Sequence, residues 1–411
     1  MTQAICSDVS KGSQMTRTRS VALLHGLQNG GPVYVEYLKQ SKAALAEGIE
    51  VTAFNVPEVT GMKAEDVAAI LEMRVHDIGY GDVHDWNDED FQAIICTDGT
   101  FGSQIQETIT AVCVTHGSVP MPTLSPFFMA ELMASYDVVA LSSRSLQALT
   151  AQGMSDYRAG RRQGARPAHA TAVRTDMRRT LCMPSLPMKN DKVHSASQSA
   201  IPSKGFTVGI LPTYIEAIPA NISLYNSIIP ILKMILERFP QCSILFKPYP
   251  GDLFRPQIAQ LCETLKTVPR VRVAAPDLNS AAFYDMSDVI ITDGSTAGVS
   301  HMLRKTVPPI YFVPQDALSG AVTRSFVTSI EKHVLMCHSL AAIEAKIRYL
   351  TRAGREELFR FYQTYCDEEL FRQQTQQGYF RDILDLRVTA PDAIVVDADG
   401  QIWREAAEAA E

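Results

Sequence analysis

Six short runs in this 411-residue chain carry the side chains best suited to chemistry, and each directly follows a strand-like apolar stretch. In the first half these are His25-Gly26 with Asn29-Gly30-Gly31-Pro32, Asp98-Gly99-Thr100, and His116-Gly117-Ser118. In the second half they are Pro212-Thr213-Tyr214, Lys247-Pro248-Tyr249-Pro250-Gly251, and Asp293-Gly294-Ser295-Thr296-Ala297-Gly298. The position matters because ligands of open parallel sheets bind beyond the carboxyl ends of the strands, where the strand order reverses.

The last run is the most specific. Val289-Ile290-Ile291-Thr292 reads as a buried strand that ends in a small, hydroxyl-rich turn opening a helix. Free backbone N–H groups and two hydroxyls then converge on one point, and a helix start of this kind favours phosphate through its unpaired donors and its dipole. Capping of the helix by Asp293 or Ser295 is the plainer reading and accounts for one of these residues. Lys247 supplies a cation at a neighbouring strand end. His116 stands where an imidazole, with an ordinary pKa near 6.5, could take a proton from an attacking hydroxyl, and Gly117 beside it leaves room for a substrate. A satisfied structural histidine is the alternative for His116 and equally for His25. Asp98, Glu216 and Asp293 are strand-end carboxylates, but their spacing builds no metal site.

These residues need a scaffold, and the sequence patterns one. From Ser20 onward β-rich runs alternate with helix-period segments, the sign of parallel sheets covered by helices. One series ends near Leu141 and a second runs from Thr207 to Val313, which predicts two doubly wound α/β domains. The expected divisions are a polar tail over 1–19, an N-terminal acceptor domain over 20–155, a basic linker over 156–205, a C-terminal nucleotide domain over 206–362, and a helix and tail over 363–411. Within the linker, the stretch from Arg158 to Arg179 holds seven arginines against the single Asp176. It reads either as a solvated connection or as a patch for anionic partners, including an acidic membrane face. Residues 393–396 look β-like, and Asp399-Gly400 looks like a turn.

Composition narrows the classes. Lys+Arg 38 against Asp+Glu 45 gives a formal charge of −7, which argues against a protein that coats nucleic acid. No apolar run reaches the roughly 18–20 residues of a membrane span, and the first twenty residues lack a signal-peptide core, so the cytoplasm is the expected compartment, with peripheral contact through the arginine stretch. The eight cysteines form no Cys-x-x-Cys pair, which fits neither a disulfide framework nor a zinc cage. Gly-x-x-x-x-Gly-Lys-[Ser/Thr], Gly-x-Gly-x-x-Gly, Gly-x-Ser-x-Gly and His-Glu-x-x-His are all absent, which sets aside P-loop hydrolases, dinucleotide dehydrogenases and the commonest hydrolases.

The order His116-Gly117, Pro212-Thr213-Tyr214, Lys247–Pro250 and Ser287–Thr296 resembles the CDP-glycerol glycerophosphotransferase family, the teichoic-acid and capsule polymerases. The resemblance covers residues 21 to 314 and rests on motif order. It implies a GT-B fold, two facing Rossmann-like domains with a C-terminal helix returning to the first. It implies further that His116 is the base toward the acceptor, that Asp293, Gly294, Ser295 and Thr296 hold the donor's phosphates, and that Thr213 lines the donor pocket. Lys247 would offset phosphate charge, Asp98 and Tyr249 would stand at the reacting centre, and His25, Asn29 and Gly117 would face the acceptor. No metal or cofactor enters the scheme. The donor is nucleotide-activated, and the acceptor is a polysaccharide or lipid-linked hydroxyl.

Two departures bear on the donor. The family has His-Pro where this chain has Tyr249-Pro250, and Asp-Tyr-Ser-Ser where it has Asp293-Gly294-Ser295-Thr296. Tyrosine, with a pKa near 10, is a poor substitute for imidazole. Transferases of CMP-activated acidic sugars therefore fit as well as a CDP-glycerol enzyme. A nucleotide-sugar 2-epimerase and a catalytically idle nucleotide-binding subunit are the competing classes.

Overall fold

The computed structural model describes residues 19–26, 32–43, 45, 48–87, 89–97, 100–115, 133–162, 180–184, 201, 205–275, 278, 280–370 and 393–404. They form two parallel sheets flanked by helices. The N-terminal sheet contains β1 (Arg19–His25), β2 (Ile49–Asn55), β3 (Val75–Asp77), β4 (Ala93–Thr97), β5 (Thr110–Val114), β6 (Val138–Leu141) and β7 (Thr180–Pro184). The C-terminal sheet contains β8 (Thr207–Leu211), β9 (Ser243–Phe246), β10 (Val271–Val273), β11 (Val289–Thr292), β12 (Ile310–Phe312) and β13 (Leu335–Cys337). Two last strands, β14 (Ile394–Val396) and β15 (Ile402–Arg404), return to the first sheet.

The strand orders are β3-β2-β1-β4-β5-β6-β7-β14-β15 and β10-β9-β8-β11-β12-β13. β1 to β7 pair in parallel, β14 and β15 are antiparallel, and every pair in the second sheet is parallel. Both orders reverse direction once at their centre, between β1 and β4 and between β8 and β11. Strands such as Ala93–Thr97 and Val289–Thr292 are buried at every residue, which explains why they read as continuous apolar runs. The fold class expected from the sequence, two Rossmann-like domains in the GT-B manner, is the fold observed.

The covering helices are α1 (Pro32–Ala43), α2 (Pro57–Thr60), α3 (Ala64–Leu71) and α4 (Arg144–Arg162) in the first half. In the second they are α5 (Ile228–Arg238), α6 (Pro256–Lys266), α7 (Ser280–Met286), α8 (Ala297–Lys305), α9 (Ala321–Ile330), α10 (Leu340–Leu350) and α11 (Arg355–Glu368). After β4 the chain makes a 3-10 turn over Thr100–Ser103, followed by turns and bends to β5.

The basic linker differs most from expectation. α4 runs through the boundary set at residue 155, and β7 lies inside the segment read as a connection. Gln147, Ala151, Met154 and Arg158 are all buried and recur at helical spacing, but two of the four are polar, so the apolar period is broken. Arg158, taken as the start of a surface patch, is wholly buried. Its guanidinium donates to the carbonyls of Val396 (2.6 Å) and Asp397 (2.9 Å), to Thr180 Oγ1 (2.7 Å) and to the Ala134 carbonyl (3.4 Å). One arginine thus ties α4, β7 and the C-terminal strands together. The arginines from 161 to 179 have side chains outside the described residues.

The returning C-terminus is built by period-two burial. Ala393 and Val395 join the core on one face of the sheet, and Ile394 and Val396 join the core on the other. Asp397 Oδ1 accepts from the amides of Asp399 and Gln401, both 2.8 Å, and Gly400 takes φ +79°, which closes the hairpin at the expected turn. α11 also reaches back. Beyond its end, the Glu369 carbonyl accepts from Arg144 N at 2.9 Å, and Glu369 Oε2 accepts from Ser145 N (3.0 Å) and Ser145 Oγ (2.6 Å) at the start of α4. Glu369 Oε1 stands 3.6 Å from His333 Nε2 of the C-terminal half.

Candidate nucleotide-phosphate site

The loops after β8, β9 and β11 leave the same carboxyl edge of the second sheet, at its point of reversal. Two buried aspartates fix them. Asp293 Oδ1 accepts from Thr213 N at 2.9 Å and from Thr213 Oγ1, and Oδ2 accepts from Leu224 N at 2.8 Å. Asp252 Oδ2 accepts from Ile215 N at 3.2 Å. The β8 loop is therefore pinned from both sides, by the β11 loop through Asp293 and by the β9 loop through Asp252. Burial raises the pKa of both carboxyls, against the donors that lower it.

This geometry corrects the expectation for Asp293. Asp293 does not hold phosphate: both its oxygens face the protein's own donors, and a carboxylate beside a phosphate would repel it. Thr213, expected to line the donor pocket, donates its hydroxyl proton to Asp293 and keeps only acceptor capacity there. Asp293 does not cap α8 either. The hydroxyl that turns the chain into the helix is Ser295 Oγ, which accepts from Ala297 N at 3.1 Å.

The start of α8 is fitted closely to β12. The Tyr311 hydroxyl donates to the Ser295 carbonyl, and the Val299 amide donates to the same hydroxyl. A Cβ on Gly298 would stand 2.6 Å from the Tyr311 ring, so this helix start admits no side chain there. Among the described residues, the amides of Ser295, Thr296 and Gly298 and the Thr296 hydroxyl have no partner. Gly294, which precedes them, is buried. These are the groups a phosphate oxygen can accept from.

Lys247 completes the corner. It is 6% exposed, and among the described residues no carboxylate or acceptor bonds its Nζ. Burial alone lowers its pKa. Its amide donates to the Ile210 carbonyl at 3.0 Å, so the parallel ladder of β8 and β9 still holds at this residue. Side chains on a strand alternate, so Lys247 leaves the sheet on the side of Leu245, away from Phe246. Leu245 packs with Leu211, Phe283, Tyr284 and Ile290, and Ala297 at the start of α8 packs against that cluster. The lysine and the helix start therefore share one face of the sheet, two strand spacings, about 10 Å, apart at the backbone. Lys247 Nζ is not among the fully buried atoms that lack a partner, so the ammonium at the end of this buried stem meets solvent; with the unpaired helix-start amides on the same face, it is a group that an anion could bind.

Tyr249 lies two residues beyond Lys247, half-buried, with its amide donating to the Tyr225 hydroxyl at 3.0 Å. Burial raises its phenol pKa. Asp252, Tyr225 and Tyr311 were not singled out in the sequence. Asp252 follows a Pro-Gly turn signal and Tyr311 puts a hydroxyl into the apolar run Ile310–Phe312, but Tyr225 carried no signal.

On the N-terminal sheet, His25 ends β1 and is wholly buried, and Phe101 packs so tightly over Gly26 that a Cβ there would stand 2.2 Å from its ring. Thr97, at the end of neighbouring β4, is also buried, and its Oγ1 has no partner among the described residues. Asn29, Asp98, His116 and Gly117 lie outside the described residues. Among the described residues, no cluster of His, Cys, Asp or Glu could hold a metal ion, and no helix is long and apolar enough to cross a membrane.

No protein-family model and no curated protein matches the chain. Solved structures match its fold at low identity. A putative UDP-N-acetylglucosamine 2-epimerase from Listeria monocytogenes superposes with a TM-score of 0.53 and 12% identity, covering 84% of this chain and 91% of that one. The UDP-GlcNAc 2-epimerase of Methanocaldococcus jannaschii, in complex with UDP-GlcNAc and UDP, gives 0.53 and 9%, covering 85% and 99%. LpCGTa in complex with UDP gives 0.51 and 14%, covering 90% and 98%. The chain shares the two-domain GT-B fold with these proteins.

Proposed function

We propose that the protein is a nucleotide-dependent transferase that moves a glycosyl or polyol-phosphate unit from a nucleotide-activated donor to a hydroxyl of a surface-polysaccharide or lipid-linked acceptor. The C-terminal domain holds the donor's phosphates at the start of α8 and on Lys247. The observation that carries the reading is the buried Lys247, without a counter-charge among the described residues, on the face of the sheet where α8 begins. Bonds to phosphate strengthen as negative charge collects on the departing nucleotide, which is where fixed donors lower a barrier most. The N-terminal domain presents the acceptor near His25 and Asn29. His116 acts as the base toward the attacking hydroxyl, with Gly117 next to it in sequence, and Asp98, the residue after β4, assists at the reacting centre. CDP- and CMP-linked donors remain the favoured class, from the motif order of the sequence.

A second reading is a nucleotide-sugar 2-epimerase, which the likeness to two such enzymes favours at the level of fold. One experiment separates the two. The protein is first screened by thermal shift with CMP, CDP, UDP and GDP, since a ligand that prefers the folded form raises the Tm. The matching activated donors are then incubated with and without hydroxyl acceptors. A transferase leaves the donor's sugar unchanged until an acceptor is added. Epimerised donor without acceptor overturns the transferase reading, tight binding without turnover points to an idle subunit, and no stabilisation by any nucleotide overturns the phosphate site.

A further inference from the structure

Beside the phosphate corner, the loops after β8 and β9 build a second, rigid surface that the phosphate chemistry does not use. Tyr214 and Tyr249 pack ring to ring, with centroids 5.1 Å apart and planes tilted by 36°. The Tyr214 hydroxyl donates to Glu216 Oε2 at 2.8 Å, and Arg255 donates to Glu216 Oε1. Arg255 Nε in turn lies 3.4 Å from Asp252 Oδ1, the aspartate that pins the β8 loop. Two aromatic rings, a carboxylate and a guanidinium are thus locked to one another across two loops, although the Glu216 side chain is largely exposed.

Holding the exposed Glu216 carboxylate in one orientation costs side-chain entropy, and its ion pair with Arg255 returns little of it. The arrangement therefore suits recognition better than stability. Its shape limits what can bind. The rings already touch each other, so no planar base fits between them, and they offer one continuous outer wall. Glu216 keeps spare acceptor sites on both oxygens, in an orientation set by Tyr214 and Arg255. The Tyr249 hydroxyl has no partner among the described residues. An apolar wall with a doubly accepting carboxylate on its rim matches a saturated ring or chain that shows C–H groups on one side and neighbouring hydroxyls at its edge. Tyr249 is two extended residues, about 7 Å, from Lys247, so a group attached to a phosphate held there reaches it.

We infer that Tyr214, Tyr249 and Glu216 form the subsite for the polyhydroxylated unit, glycosyl or glyceryl, joined to the donor's phosphate. This inference rests on the phosphate assignment made above. It also gives a physical reason for tyrosine at position 249: the ring supplies a wall, where an imidazole would supply a proton carrier.

The test is calorimetric titration of the full chain with paired ligands, each a bare nucleotide and its sugar- or glycerol-bearing form: UDP and UDP-glucose, UDP and UDP-N-acetylglucosamine, CDP and CDP-glycerol. At least one pair should show tighter binding of the bearing form in the wild type. Tyr249→Ala and Glu216→Gln should each reduce that gain about tenfold and shift the Kd of the bare nucleotide less than twofold. Glu216 lies at the surface, so its variant reports even if Tyr249→Ala misfolds. If bare nucleotides and inorganic pyrophosphate both fail to bind the wild type, the phosphate assignment falls and this inference falls with it. If bare nucleotides bind but no pair shows a gain, or the gain survives both substitutions, this inference alone falls.

Discussion

Replacing Lys247 by Met separates a binding lysine from a structural one, because the two roles predict opposite changes in stability. The side chain is almost fully buried and has no counter-ion among the described residues, while its Nζ still meets solvent, so the free protein carries part of the desolvation of an ammonium. Met keeps most of the volume and removes the charge. The free protein should gain up to about 1 kcal/mol, the low end of the range for relieving an unsatisfied polar group, because the Nζ keeps some water. In a domain of this size that is roughly 2–4 °C in Tm per kcal/mol. Nucleotide binding should move the other way. A charge-assisted bond to phosphate is worth about 1.5–3 kcal/mol, so affinity should fall about 10- to 150-fold.

The pH dependence follows from the depressed pKa of Lys247 in the folded protein. Its contribution to stability is fully present above the unfolded value of about 10.4 and is lost as pH falls through the folded pKa. The stability advantage of the Met variant should therefore be largest near neutral pH and vanish above about pH 10.4. A bound phosphate restores the charge, so binding to the wild type should take up protons as pH approaches the lysine's depressed pKa, and affinity should weaken above it. Thermal unfolding of both proteins, with calorimetric titration of CDP and UDP in buffers of different ionisation enthalpy, measures each quantity. A variant that melts lower and binds nucleotide as tightly as wild type would refute the reasoning, since the ammonium would then be serving the fold.

Asp293→Asn sets an amide against donors that now meet carboxylate oxygens, and should destabilise the C-terminal domain by about 2–4 kcal/mol, read as a shift in urea midpoint; a loss below 1 kcal/mol would return Asp293 to the ligand side of the site. Arg158→Met strips donors from the Val396, Asp397 and Ala134 carbonyls and from Thr180, and should cost about 2–4 kcal/mol, at about 1–3 kcal/mol for a buried acceptor left unsatisfied. Hydrogen exchange should then accelerate over residues 394–404 before the rest of the first sheet, and uniform acceleration would contradict the assigned role. At the junction of the two halves, burial pushes the Glu369 carboxyl up, but His333 and the two Ser145 donors outweigh it and leave its pKa below the ordinary value. That contribution is present above the unfolded value of about 4.3 and is lost as pH falls through the lower folded pKa. Exchange of the Arg144 and Ser145 amides, corrected for intrinsic rates, should rise over that acid range in wild type and show no such step in Glu369→Gln.

The repeating architecture was legible because both faces of each sheet are covered, so strands such as Ile94–Cys96 and Val289–Ile291 announce themselves as apolar runs. The same logic placed Lys247, Thr213 and Asp293 at strand ends, which is where they stand. It did not assign their roles, because spacing reports position and says nothing about direction. Asp293 and Thr213 turn toward each other, and Lys247, which received the least argument from sequence, is the group left without a partner. Elsewhere the signal failed where polar residues occupy core positions. Gln147 and Arg158 interrupt the apolar stripe of α4, and Thr180 opens β7 among arginines, so the sequence shows only a short helix after Leu141 and reads the end of α4 and all of β7 as a connection. In each case the polar residue is buried because it bonds a backbone or side-chain group that arrives from far along the chain: Gln147 donates to the Cys182 carbonyl, and Arg158 to Val396 and Asp397. Local periodicity cannot register such partners. A buried polar residue is therefore informative only once its partner is known. With a partner it is part of the frame, as Asp293 and Arg158 are. Without one, at the carboxyl edge of a sheet and facing solvent, it is a group to test for ligand binding, which is the ground on which Lys247 is proposed.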